Sequence, residues 1–304
     1  MCASCGIAEV DDIKLKECDA ACKLVKYCSD ACEKDHRPQH EQDCKKRVGE
    51  LRDELLFKQP ESSHFGDCPI CLLPLPIDGK TCMSTLMACC IKTICNGCAY
   101  ANALREEQEF LEHKCPFCRH PVPKSKEEAE GIAMRRIEAN DPVAMLQMGM
   151  ERYYEGNYDT AIEYFTKAAD LGEADAHFRL SAMYYEGRGV EKDEKKAIYH
   201  SEEAAIAGHP DARYSLGYHE GINGRIDRAV KHFIIAANQG FGAAVQQLKE
   251  GYKRGHVSKE DFAAALRAHH AAVDATKSPQ REVAAKADAA GEIVLGEGTK
   301  VSFF

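Results

Sequence analysis

Sixteen cysteines stand in this chain of 304 residues, all between Cys2 and Cys118, and the following 186 residues contain none. That distribution splits the chain into a front that can be stapled by metal or disulfide and a rear that must hold itself by packing. The amino-terminal stretch MCASCGIAEVDDIKLKE has no apolar core of the secretory type, and no segment approaches the ~20 consecutive apolar residues of a membrane span. The expectation is an intracellular chain, cytoplasmic and/or nuclear, with no membrane partner. Structural disulfides are rare in reducing compartments. Cysteines arranged as close pairs therefore point to zinc. A formal charge of −9, from 40 basic against 49 acidic residues, argues against a general nucleic-acid binder, which needs a basic surface.

The pairs fall into two clusters. In residues 1–46, Cys2-x2-Cys5, Cys18-x3-Cys22, Cys28-x3-Cys32 and His40-x3-Cys44 supply eight donors. His36 is a rival for the histidine, but a three-residue gap places His40 and Cys44 on one side of a helical turn. The second cluster consists of Cys68-Pro-Ile-Cys71, Cys89-Cys90, Cys95-Asn-Gly-Cys98 and Cys115-Pro-Phe-Cys118. A two-residue gap lets both thiolates of a pair reach one ion, and a redox motif of the thioredoxin kind would need one pair rather than four. The adjacent Cys89 and Cys90 are tightly spaced, so Cys82 and His113 are alternatives. Four donors would close each site, whereas a zinc hydrolase needs an open position. Between the clusters, Val48, Leu51, Leu55 and Leu56 have helical spacing and predict a connecting helix within 47–66, stopped near Pro60. AYANALREEQEFLEHK predicts another helix between Cys98 and Cys115.

From about residue 126 the chain reads as helical, and it repeats itself. Leu146, Leu180, Leu216 and Leu248 stand 34, 36 and 32 residues apart. Each unit has an apolar helix, a glycine-containing turn and a second helix ending in an alanine pair: Ala168/Ala169, Ala204/Ala205, Ala236/Ala237. Gly172, Gly208 and Gly240 sit where a left-handed helix cap is wanted. Two helices per 32–36 residues is the pattern of an α-solenoid, in which stacked hairpins share one core. KSPQREVAAKADAA suggests a last covering helix, and GEIVLGEGTKVSFF fits neither pattern.

Three resemblances follow from these residues. Tyr27-Cys28-Ser29 with Cys32 and the closing His40–Cys44 pair resembles a MYND zinc finger. That likeness implies interleaved pairs, with Cys2, Cys5, Cys28 and Cys32 on one ion and Cys18, Cys22, His40 and Cys44 on the other. It also implies binding of proline-containing peptides, although His36 replaces the aromatic residue usual after Asp35 and the chain has no tryptophan. CPIC, ICNGC and CPFCR, in that order, resemble a RING domain. The RING likeness implies one zinc on Cys68, Cys71, Cys95 and Cys98 and a second on Cys89, Cys90, Cys115 and Cys118. It further implies ubiquitin-ligase activity, with Ile70 and Pro116 meeting a ubiquitin-conjugating enzyme and Arg119 bridging that enzyme and ubiquitin. The L-x-x-x-Y-x-x-G and A-A-x-x-G phrases over roughly 142–273 resemble Sel-one-like repeats, relatives of the tetratricopeptide repeat, which implies a surface that recruits protein targets. The expected architecture is multidomain: a finger at 1–46, a linker at 47–66, a second zinc module at 67–120, an all-α solenoid at 126–275, and a capping helix with tail at 276–304. Two interleaved double-zinc modules bring four zinc ions in all.

Overall fold

The computed structural model describes residues 1–4, 15–18, 22–77 and 84–290. Cys5, Cys82 and the 291–304 tail lie outside the described residues. The chain divides into two compact units, Met1–Lys58 and Gln59–Phe304.

Among its described residues, the first unit has one helix and one short two-stranded ribbon. Strands β1 (Lys16–Glu17) and β2 (Lys26–Tyr27) pair antiparallel, with Lys16 opposite Tyr27. Ser29 then caps α1 (Asp30–Leu56) by accepting from the Cys32 amide at 3.3 Å. This one 27-residue helix absorbs both the last zinc-donor positions and the segment expected to be a separate connecting helix. Nothing between residues 44 and 48 breaks a helix, so the sequence boundary at 46/47 falls within a continuous element.

The second unit begins with the other cysteine module. Its regular parts are a two-stranded antiparallel ribbon, β3 (Ser84–Met87) with β4 (Lys92–Cys95), and α2 (Asn96–Gln108). Cys95 is both the last strand residue and the N-cap of α2. Helix α3 (Lys126–Glu138) leads into three hairpins: α4 (Pro142–Tyr154) with α5 (Tyr158–Asp170), α6 (Ala174–Glu186) with α7 (Glu194–Ile206), and α8 (Pro210–Ile222) with α9 (Ile226–Asn238). A fourth pair, α10 (Gly242–Lys253) and α11 (Lys259–Ala275), packs on α9. Asp141, Asn157, Asp193 and Ser258 cap their helices with side-chain oxygens.

The repeat core follows the alanine and glycine pattern. Ala168, Ala204, Ala205, Ala236 and Ala237 are wholly enclosed, and Leu180, Leu216 and Leu248 are buried. In the first and third hairpins a phenylalanine ring lies flush against a glycine of the facing helix. A Cβ at Gly149 would stand 2.6 Å from Phe165, and one at Gly217 would stand 2.7 Å from Phe233. Any side chain there would overpack the core.

Two departures from the expected domain plan matter for function. Residues 59–64 do not hang as a linker. The His64 amide donates to the Gly208 carbonyl at 3.2 Å, Asn238 donates to Gln59 at 3.1 Å, and the His64 ring stacks on His209 with centroids 4.1 Å apart. Gly208 has φ +90°, and a Cβ there would come within 2.7 Å of the Ser62 carbonyl, so both geometry and space demand glycine. Helix α12 (Pro279–Ala289) packs on α2 of the cysteine module. The covering helix therefore covers the metal-binding end, because its buried stripe of Arg281, Ala284 and Ala287 matches that surface.

His232 in α9 is fully enclosed, and burial, helped by Arg213 and Arg228, pushes its imidazole down to about 3. A histidine whose folded pKa lies below its unfolded value of about 6.5 favours the folded state above that value and costs stability as pH falls towards the folded pKa. Between pH 6.5 and 4.5 the unfolded chain binds the extra proton. The free-energy gap between wild type and His232→Leu should therefore shift in favour of the variant by up to ~1.4 kcal/mol per pH unit, and hold constant above pH 7.5. Paired urea titrations across this range check it, with metal effects common to both chains cancelling.

Candidate metal centres

In the first unit α1 contributes Cys32, His40 and Cys44, and the β1–β2 segment contributes Cys18, Cys22 and Cys28. The donor atoms of Cys18, Cys22, His40 and Cys44 all lie within 4.8 Å of one another, as do those of Cys2, Cys28 and Cys32. Cys22 Sγ stands 3.2 Å from His40 Nε2, and Cys18 Sγ 3.7 Å from Cys44 Sγ. His36 is engaged elsewhere, its Nδ1 3.0 Å from the Tyr27 hydroxyl. Cys5, the fourth donor expected beside Cys2, Cys28 and Cys32, lies outside the described residues.

The second unit holds two more groups, Cys68/Cys71/Cys95/Cys98 and Cys89/Cys90/Cys115/Cys118, each with its four sulfurs within 4.8 Å. The first and third pairs meet, and the second and fourth pairs meet. Sulfur separations are 3.8 Å for Cys71–Cys95 and Cys90–Cys115, and 3.4 Å for Cys89–Cys118. A disulfide would bring two of them to about 2.05 Å. A tetrahedron of thiolates around zinc, at about 2.3 Å each, has edges of about 3.8 Å. The donors thus fit zinc, with Cys89 and Cys90 sharing a group despite their adjacency. His113 bonds Glu106 at 3.1 Å instead.

The two end pairs are built alike. Leu72 and Arg119, each directly after a pair, adopt left-handed φ of 58° and 64°. Their amides donate back to the Cys68 and Cys115 carbonyls at 2.8 and 2.9 Å. Cys68 and Cys115 in turn donate to Leu73 and His120 at 2.9 and 2.8 Å. Further amides aim at sulfur: Cys95 donates to Cys68 Sγ, Cys98 to Cys95 Sγ and Cys118 to Cys115 Sγ, each at 3.4 Å. Left-handed backbone costs a non-glycine residue about 1–2 kcal/mol, and it persists here because the turn and its bonds over-determine it. Ile70, in the first of these turns, is 39% exposed; Pro116 is half-buried and Arg119 exposed in the second. The Arg119 guanidinium rests 3.5 Å from Asn102 Oδ1 on α2.

Sequence reasoning missed one residue of this site. Arg281, only 4% exposed, donates to the Pro74 and Leu73 carbonyls at 2.6 and 3.1 Å, to its own Thr276 carbonyl at 2.7 Å, and to Cys71 Sγ at 3.4 Å. Gly97 admits it, since a Cβ there would stand 2.8 Å from the Arg281 amide nitrogen. Burial alone would raise the Cys71 thiol, but the Leu73 amide and Arg281, with Cys68 and Cys95 alongside, bring it from 9.0 to about 7. A lone arginine in an alanine-rich helix, some 210 residues from its sulfur, carries no local signal of this role.

Residues 2–44 match the MYND finger family, and residues 142–173, 174–209 and 210–241 match the Sel1 repeat. The chain carries an amino-terminal MYND finger and three Sel1 repeats. It is 43% identical over 56 residues to HcpC of Helicobacter pylori, covering 18% of this chain and 19% of that protein. It is also 30% identical over 112 residues to chitin synthase regulatory factor 4 of Schizosaccharomyces pombe, covering 34% of this chain and 18% of that protein. The chain thus spans about a fifth of the length of these curated relatives. Among solved structures, a Sel1 repeat protein from Oxalobacter formigenes aligns with 67% of this chain and 82% of its own, at 22% identity and TM-score 0.43.

Loss of a residue that hydrogen-bonds a metal ligand typically weakens metal binding 10–100-fold. Arg281→Ala should therefore lose zinc to a chelator faster at the Cys68/Cys71/Cys95/Cys98 group, with the other donor groups unchanged. A competition titration with a chromogenic chelator reads this directly, and identical release curves would show that Arg281 only packs.

Proposed function

We propose that this protein is a RING-type ubiquitin-protein ligase, its second cysteine module holding a ubiquitin-charged conjugating enzyme while the Sel1 solenoid and the MYND finger recruit protein targets. A zinc finger joined to such repeats makes a protein-interaction module, and the ligase activity adds ubiquitin transfer to it. The observation that supports it most is the matched pair of end turns. Both are locked by the same backbone bonds, and they leave Ile70 and Arg119 exposed and Pro116 half-buried.

Zinc bound to four protein donors would supply structural fixation, with no open position for substrate. The chain contributes no nucleophile. Ile70 and Pro116 offer a shallow apolar contact to the conjugating enzyme. Arg119 presents an always-charged planar fork able to hold the enzyme and ubiquitin at once. The target amine then attacks the thioester carbonyl, the C–N bond forms as the C–S bond breaks, the conjugating enzyme's cysteine leaves as thiolate, and the nitrogen's proton passes to solvent. Fixing the thioester in a reactive pose is a gain of positioning rather than of acid–base chemistry. The work fits a reducing, intracellular compartment. Proline-containing peptides are the proposed ligands of the finger.

A non-catalytic adaptor is the second reading, favoured by the match of both the amino-terminal finger and the repeats to interaction modules. Self-ubiquitination of the purified, zinc-loaded chain with a panel of conjugating enzymes separates the two. The ligase reading expects chain formation that falls at least about tenfold in Arg119→Ala, the scale of losing a charge-assisted bond. No product with any enzyme, or an unchanged rate in that variant, leaves the adaptor.

A further inference from the structure

A cleft of about 760 Å³ opens between the second cysteine module and the first Sel1 hairpin. Leu86 and Phe117 form part of the module's wall, and Leu146 and Met150 of α4 form part of the opposite one. Two side-chain oxygens in it are buried without a partner. Gln147, only 9% exposed, has an unbonded Oε1, and one helical turn further on Glu151 buries an unbonded Oε2. Native interiors rarely leave such groups unmet, since each costs about 1–3 kcal/mol.

The charges around the cleft are lopsided. Asp67, Glu151, Glu173 and Asp175 line it against one ammonium, Lys92. Asp175 is already held by His209 and Arg179 at 3.4 Å each, and Glu173 accepts from the Asp175 amide. The cations nearest Glu151 are committed as well: Lys126 and Arg152 pair with Glu155 at 3.2 and 2.6 Å. Burial, with Glu130 adding repulsion, outweighs the pull of Lys126 and Arg152 and pushes the Glu151 carboxyl up. His64, also in the cleft, has two unbonded ring nitrogens and is held neutral by burial and by His209.

We propose that this cleft binds an extended segment of a protein target whose arginine side chain spans Gln147 and Glu151 between apolar neighbours. Acceptors four residues apart on one helix face are about 5–6 Å apart at Cβ. A planar guanidinium with five donors meets both, whereas an ammonium is a point donor. The ribbon face of β3 and β4 presents alternate side chains, the surface an extended peptide complements. The acidic balance disfavours nucleic acid and anionic lipid. Pro69 and Phe117, from the two end turns, also border the cleft, so a bound segment would lie beside the proposed enzyme-docking residues. The assignment rests on the reading that the solenoid recruits targets.

The test is fluorescence anisotropy of the full zinc-loaded chain against three pools of dye-labelled octapeptides. Each pool has a fixed central residue, arginine, citrulline or glutamate, and random neighbours. The arginine pool should bind at least about tenfold more tightly than the citrulline pool, the scale of a charge-assisted pair. Glu151→Gln should abolish that preference and Glu151→Lys should turn it towards the glutamate pool, both with wild-type zinc content and thermal midpoint. Equal binding of the three pools, or an arginine preference that survives Glu151→Gln, overturns the proposal. Because no ubiquitin reagent is present, a chain that makes no ubiquitin conjugates yet prefers the arginine pool loses only the ligase reading. A chain that conjugates ubiquitin without that preference loses only the cleft.

Discussion

Crowded sulfur is the constraint on which the metal-binding parts depend. In each four-cysteine group of the second unit the donor atoms crowd within 4.8 Å, and two thiolates about 4 Å apart repel by ~4 kcal/mol even at an effective dielectric of 20. A bound cation offsets that repulsion and so favours the thiolate cluster. The reward is a fold that needs only a small apolar core, in which Leu75 and Ile94 pack against the donor cysteines. Each end turn is a six-residue run held by two backbone bonds and a pair of thiolates, and interleaving ties segments up to 30 residues apart. Binding energy for the metal is then folding energy.

The solenoid solves the same problem without metal. Its hairpins bury alanine pairs and phenylalanine rings against glycine, so each repeat is stable only through its neighbours. The two strategies meet at defined points. Residues 59–64 are stapled to the second hairpin's closing turn at Gly208, and α12 returns to α2, where Arg281 reaches a zinc-donor sulfur. The second cysteine module is thereby held at both ends by the repeat array, and the acidic cleft between them follows from that clasp.

Much of this was legible in residues. Cysteine pairing named every donor the structure gathers, because ligand spacing is a local property. Leucine and alanine periodicity placed the hairpins, because each repeat reuses one packing solution. His40 over His36 also followed from helical spacing, and Tyr27 explains the other ring. What local reasoning missed is long-range. A single α1 replaced finger end plus linker because no breaker stands at the boundary. Helix α12 covers a cysteine module rather than the solenoid end, since an amphipathic stripe does not name its partner. Arg281 and the Gln147–Glu151 pair gain their meaning only from elements far away in sequence. No described helix is long and apolar enough to cross a membrane.

The central proposal is that paired thiolates and one histidine form four closed metal sites. Native mass spectrometry of the whole chain, sprayed from metal-free buffer after zinc loading, measures it most directly. The account predicts a dominant species carrying four zinc ions, falling to three in Cys68→Ser. A wild-type chain that holds two zinc ions or fewer would contradict it.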